Sequence, residues 1–228
     1  MGTSSARRGP TTALWRAAKA AATRYLSPGG GGELNVRELV ARYLAALQET
    51  PGQGDRLAVF RFTRKVGQEL GAFWEEMQSR GWDQTLQDRG LASLAPGDAA
   101  LLAQGVSGVL AGSGGGLEEA VVRTSLALVL RQALQSENRA APGHLVRQFL
   151  ATALSLRLAL DLGEPLEAAA GSSRQLQDGL KQIKAAIVAN VSTGGWPGPP
   201  TTPEHWQGLT GWTWVTATLV ALMAKFEF

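Results

Sequence analysis

LVRQFLATALSLRLAL, residues 145–160, is the stretch on which the fold turns. It is apolar nearly all round, interrupted only by Arg147, Gln148, Arg157 and small polar side chains. It has no period-two alternation, so it reads as a helix, and a helix apolar on every side is one surrounded by other helices. Sixteen residues with two arginines make a short and costly membrane span, which takes about 20 apolar residues.

The flanking sequence supplies the surrounding helices. From Asn35 to Glu49, Val36, Leu39, Val40, Tyr43, Leu44 and Leu47 recur at three- and four-residue steps, with Asn35 and Glu38 placed as in a capping box. From Arg56 to Ser79 the stripe is Val59, Phe62, Val66, Leu70, Phe73 and Met77. Gly67 and Gly71 interrupt it at about 1 kcal/mol each relative to alanine, which a helix tolerates where something packs closely. Short helices are expected through 91–111. Leu117–Leu134 forms a further helix, with Glu118 and Glu119 at its positive end. Ser173–Val191 forms another, with Leu176, Leu180, Ile183, Ile187 and Val191 on one face. Glycine- and proline-rich breaks lie at 29–32, 51–55, 112–116, 136–143 and 193–203. The fold class read from this is all-α: a single helical bundle around a central hydrophobic helix, with a C-terminal hydrophobic helix.

Charge and composition bound the function. The 228 residues carry a net charge of +3, two histidines and no cysteine. Disulfide scaffolds, cysteine-ligated metals and cysteine nucleophiles are excluded. Residues 1–32 hold Arg7, Arg8, Arg16, Lys19 and Arg24 and no acid, so the rest of the chain is slightly acidic. The domains expected are a basic flexible arm over 1–32, the bundle over 33–203 and a hydrophobic helix over 204–228. The arm is open to three readings: an organelle-targeting peptide, a charge-held contact with anionic lipid or RNA, or a solvated tail. Nucleic-acid binding by the body is not expected, since it has no basic–aromatic face.

From Trp206 to Ala224 there are 19 residues without a charge. As one helix they would span about 28 Å against a hydrocarbon core of about 30 Å. Trp206, Trp212 and Trp214 cluster at one end as interfacial aromatics do, while four threonines dilute the stretch. It is either a tail anchor or a last core helix.

The order of the pieces carries a family resemblance. NVRELVARYLAAL at 35–47 resembles the fourth homology motif of the Bcl-2 family of apoptosis regulators, and VFRFTRKVGQEL at 59–70 resembles the third. Val59, Val66, Gly67 and Leu70 fit the third motif, while Thr63 and Gln68 stand where leucine and aspartate are expected. PGHLVRQFLATAL at 142–154 resembles the first motif, with His144 in the arginine's place, and Gly194, Gly195 and Trp196 look like the Gly-Gly-Trp of the second. The resemblance implies a Bcl-2-like bundle that regulates apoptosis, in the survival-promoting direction, by taking a partner's amphipathic helix into a groove. Val59, Val66, Gly67, Leu70, His144, Val146 and Phe149 would serve that groove, with Gln68 facing His144. Partners would be the amphipathic helices of other Bcl-2-type proteins, in a homo- or heterodimer, and a membrane contacted through Trp206–Ala224. The setting would be the mitochondrial outer membrane or another intracellular membrane, partly cytoplasmic.

Enzymatic chemistry finds little purchase. GSGGG at 112–116 lacks the lysine and hydroxyl of a phosphate loop. Glu75 and Glu76, like Glu118 and Glu119, are adjacent, so they diverge on a helix and form no facing pair. No catalytic residue, metal or cofactor is expected. The other reading is a non-enzymatic helical adaptor or assembly subunit, organelle-imported if the basic N-terminus is a targeting peptide.

Overall fold

The computed structural model describes residues 12–27, 33–49, 57–94, 98–112, 114–136 and 140–227. Among these the chain is all-α. Its helices are α1 (Ala13–Leu26), α2 (Glu33–Gln48), α3 (Arg61–Arg80), α4 (Trp82–Asp88), α5 (Ala99–Ala111) and α6 (Leu117–Gln135), followed by α7 (Pro142–Asp161), α8 (Gly163–Ala169), α9 (Ser173–Ala189), α10 (Pro203–Gln207) and α11 (Leu209–Ala224). Single 3₁₀ turns, Ala58–Phe60 and Asn190–Ser192, precede α3 and follow α9. The expected breaks at 29–32 and 51–55 lie outside the described residues, as does the side chain of Asn35. The second helix starts at Glu33, so Asn35 lies inside it and not at its cap.

The helices form two units where one bundle is expected. The first holds α1, α2, the end of α7 from Leu158, α8 and α9 up to Ala186; the second holds α3 to α6, α7 up to Arg157, and residues 187–225. In the first unit, the segment expected as part of a flexible arm is a helix with a buried face. Thr12 caps α1, and Trp15, Ala18, Ala21, Ala22, Tyr25 and Leu26 are buried along it. Alanine at three- and four-residue steps forms a buried stripe as leucine does, but without the hydropathy that marks one. Trp15 meets Tyr43 of α2 edge-on with 6.0 Å between ring centres. The Tyr25 hydroxyl donates to the Gly179 carbonyl of α9 at 3.1 Å, and burial raises its pKa. Tyr43 donates to Asp161 at 2.8 Å.

The second unit is organised by α3 and α7. Leu145, Val146, Phe149, Leu150, Ala151, Ala153 and Leu154 of α7 are buried, each large side chain contributing about 1.5–3 kcal/mol by leaving water. The start of α3 has no cap of its own. Glu118, in the first turn of α6, supplies one: its carboxylate accepts from the Thr63 amide at 2.8 Å and the Thr63 hydroxyl at 3.1 Å. Burial raises the Glu118 pKa, against the lowering effect of these bonds, of the Phe62 amide and of Arg157.

The glycines of α3 are the seat of the C-terminal helices. A Cβ at Gly71 would overlap the Trp206 ring, and one at Gly67 would stand 3.3 Å from Val215 Cγ1. Trp206 and Trp214 pack edge-on at 5.1 Å, and both are buried. Arg64 of α3 lies 4.7 Å over the Trp212 ring and donates to the Thr216 hydroxyl at 3.4 Å. The expected single apolar helix over 206–224 is therefore two, divided at Gly208. The longer has 16 residues, about 24 Å. No helix among the described residues is long and apolar enough to cross a membrane. The tryptophans expected at a lipid interface face protein, so the tail-anchor reading and the membrane contact through Trp206–Ala224 are set aside.

Two predictions follow from these contacts. Gly71→Ala forces the Trp206 ring to move and will lower stability by about 1–3 kcal/mol. Gly67→Ala meets only a contact that gives by tenths of an ångström, and its better helix propensity of about 1 kcal/mol offsets this; urea unfolding of the two variants checks the difference. For Glu118, a folded pKa above the unfolded one means stability that is complete below the unfolded pKa and is lost as pH rises through the folded one. Relative to Glu118→Gln, the native chain will therefore be more stable at pH 4 than at pH 7, and an unchanged difference between the two pH values refutes the assignment. Glu118→Ala, which leaves the α3 amides uncapped, will cost about 1 kcal/mol, and by the same linkage more at pH 4 than at pH 7.

Candidate functional site

The residues expected to form a peptide groove lie in the second unit. Val59 is half-buried in the 3₁₀ turn before α3, and Val66, Gly67 and Leu70 are buried on α3. Val146 and Phe149 are buried on α7. A Cβ at Gly67 would sit 3.6 Å from Phe149 Cε1, so the expected groove wall and groove floor are in contact at that point. The Gln68 amide donates to the Gly208 carbonyl at 2.8 Å, and not to His144.

His144, Gly194, Gly195 and Trp196 lie on two segments that the structure brings together, the first turn of α7 and the loop 193–200. A Cβ at Gly143 would press on Pro199, with Trp214 at 3.5 Å. The loop is tied at several points. Trp196 Nε1 donates to the Val191 carbonyl at 3.0 Å, and Trp214 Nε1 to the Pro197 carbonyl at 3.0 Å. Lys225 Nζ donates to Thr193 Oγ1 at 2.6 Å and to the Gly194 carbonyl at 3.2 Å. Gly195 has φ +89°, a backbone setting that side chains other than glycine's resist. The Gly-Gly-Trp sequence thus has a local cause: one glycine makes the turn and the tryptophan pins it.

Two cations converge on the Trp196 ring. The Arg147 guanidinium lies 5.5 Å from the ring centre and the Lys225 ammonium 4.9 Å. Burial lowers the Arg147 pKa; burial and then the Arg147 charge lower that of His144. Neither Arg147 nor Lys225 is in an ion pair among the described residues. Lys225 is absent from the expected site residues, and Arg147 figures in the sequence only as an interruption of an apolar helix. That interruption is the signal: a charge in an apolar helix marks where the helix meets solvent or a ligand.

A second feature is a bare helix face. Asp98 caps α5, accepting from the Ala100 and Leu101 amides at 2.9 and 3.0 Å. No charged residue follows until Glu118. One face of α5 buries Leu102, Ala103 and Val106. The other leaves Leu101 57% and Val109 45% exposed, and on the adjacent α6 Leu128 is 42% exposed. The helix thus carries apolar side chains on its exposed as well as its buried side.

No curated protein and no solved structure matches this chain. The model of one protein family does, over residues 52–194, and that family is described as Qat anti-phage system associated protein QatB. This overturns the resemblance to the Bcl-2 family, and with it apoptosis regulation, Bcl-2-type partners and the mitochondrial outer membrane, since phages infect bacteria. The resemblance rested on apolar residues at helical spacing, which any helix with one buried face carries, and on a Gly-Gly-Trp that the turn at Gly195 explains. The match spans more than half of the chain, from the approach to α3 to the turn after α9, and the protein belongs to the QatB family of the Qat anti-phage system.

Proposed function

We propose that this protein is a non-enzymatic adaptor of its Qat anti-phage system, holding other components of that system through exposed helix faces. The observation that carries the reading is the charge-free face of α5, with Leu101, Val109 and the neighbouring Leu128 exposed inside the residues matched to the family. An apolar face flanked by polar surface suits a protein partner better than water. The hydrophobic α7 is the central helix on which the second unit is assembled, and it supports α3 and the loop 193–200 from within. The adaptor role needs no catalytic residue of its own; catalysis would belong to the components it holds.

Co-expression with the other proteins of its Qat system tests the reading. The native chain will co-purify with at least one of them. Leu101→Glu with Val109→Glu will abolish that complex while leaving the unfolding midpoint within a few degrees, because both side chains already face water. Failure of the native chain to form any such complex overturns the adaptor role; a complex equally strong with the double variant overturns the α5 face as its surface.

A further inference from the structure

Another surface of the second unit carries charge as well as apolar groups. Arg61, Arg64, Lys65 and Gln68 stand at the first, fourth, fifth and eighth positions of α3, so they share one face of that helix. That face adjoins α11. Arg64 lies 4.7 Å over the Trp212 ring and donates to the Thr216 hydroxyl, and the Gln68 amide donates to the Gly208 carbonyl. Leu209 follows Gly208 directly, and Leu209 and Trp212 are neighbours at a three-residue step on α11. These side chains therefore form one continuous patch.

Leu209 is 79% exposed, more than Leu101, Val109, Leu128 or Leu160, and Trp212 is half-buried. Arg61 and Lys65 are exposed, and neither is in an ion pair among the described residues. Of the acids nearby, Glu118 is committed to Thr63. Glu69, one turn beyond Lys65, forms no ion pair with it. Three cations against one such acid leave the patch positive.

Water solvates the cations but not Leu209. An acidic protein segment with an apolar side chain serves both halves. Its carboxylates, one turn apart, meet Arg61 and Lys65, while its apolar side chain covers Leu209 and Trp212. A nucleic-acid strand would meet the cations but leave Leu209 in water. It would also find one face of the Trp212 ring already taken by Arg64, where a base would stack. Tryptophan and arginine are enriched among the side chains that carry binding energy at protein interfaces. Arg64 holds the indole in place before a partner arrives, which lessens the entropy lost on binding.

We propose that this patch docks an acidic segment of another component of the Qat system. The inference extends the adaptor reading and rests on it: a protein that joins two components needs a second surface. This one is cationic where the α5 face is free of charge, so the two select different partner chemistry.

Calorimetric titration of the full chain with each of the other purified proteins of its Qat system tests the patch. At least one is expected to bind, with an affinity weakened about tenfold or more in Lys65→Glu and in Leu209→Ser. Lys65→Arg, which keeps the charge, is expected to bind within a few-fold of the native chain. The native affinity will fall as salt rises from about 50 to about 300 mM, and that of Lys65→Glu will fall less. Both Lys65→Glu and Leu209→Ser will unfold within a few degrees of the native midpoint, because both side chains face water. If the native chain binds none of these proteins, the adaptor role and the patch fall together. If it binds but Lys65→Glu and Leu209→Ser bind equally well, the patch alone is overturned, and loss only in Leu101→Glu with Val109→Glu gives the contact to the α5 face. A short DNA duplex that binds more tightly than any of these proteins and is released in Lys65→Glu also overturns the proposal, giving the patch to nucleic acid.

Discussion

The second unit depends on the Trp206 indole lying against Gly71. Trp206 is fully buried, and a single added carbon at Gly71 would overlap its ring. With Gly67 one turn earlier, α3 presents a flat strip, and α10 and α11 settle on it through Trp206 and Val215. Two glycines inside a 20-residue helix cost helix stability of about 1 kcal/mol each. The burial of a tryptophan more than offsets that, although Trp206 Nε1 finds no hydrogen-bond partner and so gives back part of the gain.

Closing that contact determines where the charges near it go. Arg64 stands on α3 beside the strip and is 9% exposed; it rests on Trp212 and the Thr216 hydroxyl. On the other side of the helix start, Glu118 caps α3 from α6. One helix thus has its positive end satisfied by a carboxylate from another helix, and its arginine by an aromatic from a third. Each of these ties is short-range, so α3 is held by α6 and α11 through directional contacts as well as through apolar packing.

Much of the architecture is legible in the sequence because helical spacing marks a buried face directly. The stretch 145–160 lies within one helix and the glycines of α3 are closely packed against, while Glu118 at the acidic start of α6 serves α3, whose Thr63 amide it caps. Three features are not legible. The stripe of α1 is made of alanine, which a hydropathy scan does not separate from a solvated basic tail. The charge-free C-terminal stretch looks the same whether lipid or protein covers it; only the break at Gly208 and the burial of Trp206 and Trp214 separate the two. The approach of Arg147 and of Lys225 to the Trp196 ring joins residues 49 and 29 positions apart, and nothing local to any of them announces the others. The Gly-Gly-Trp is legible as a turn but not as a ring that both cations approach.

The limits of the family match do not coincide with a packing boundary. The matched residues 52–194 contain α3 and its glycine strip but not Trp206 or Val215, which cover it. They contain Arg147 but neither Trp196 nor Lys225. Without 195–225, Gly67 and Gly71 would present an apolar notch to water, and α3 would carry the cost of its glycines with no packing in return. The second unit therefore needs the C-terminal helices as part of its core, and the stretch that could pass for an anchor is a structural element of the same unit. With those helices turned inward, the large apolar side chains that this unit leaves exposed among the described residues are Leu101 and Val109 of α5, Leu128 of α6 and Leu209 at the start of α11.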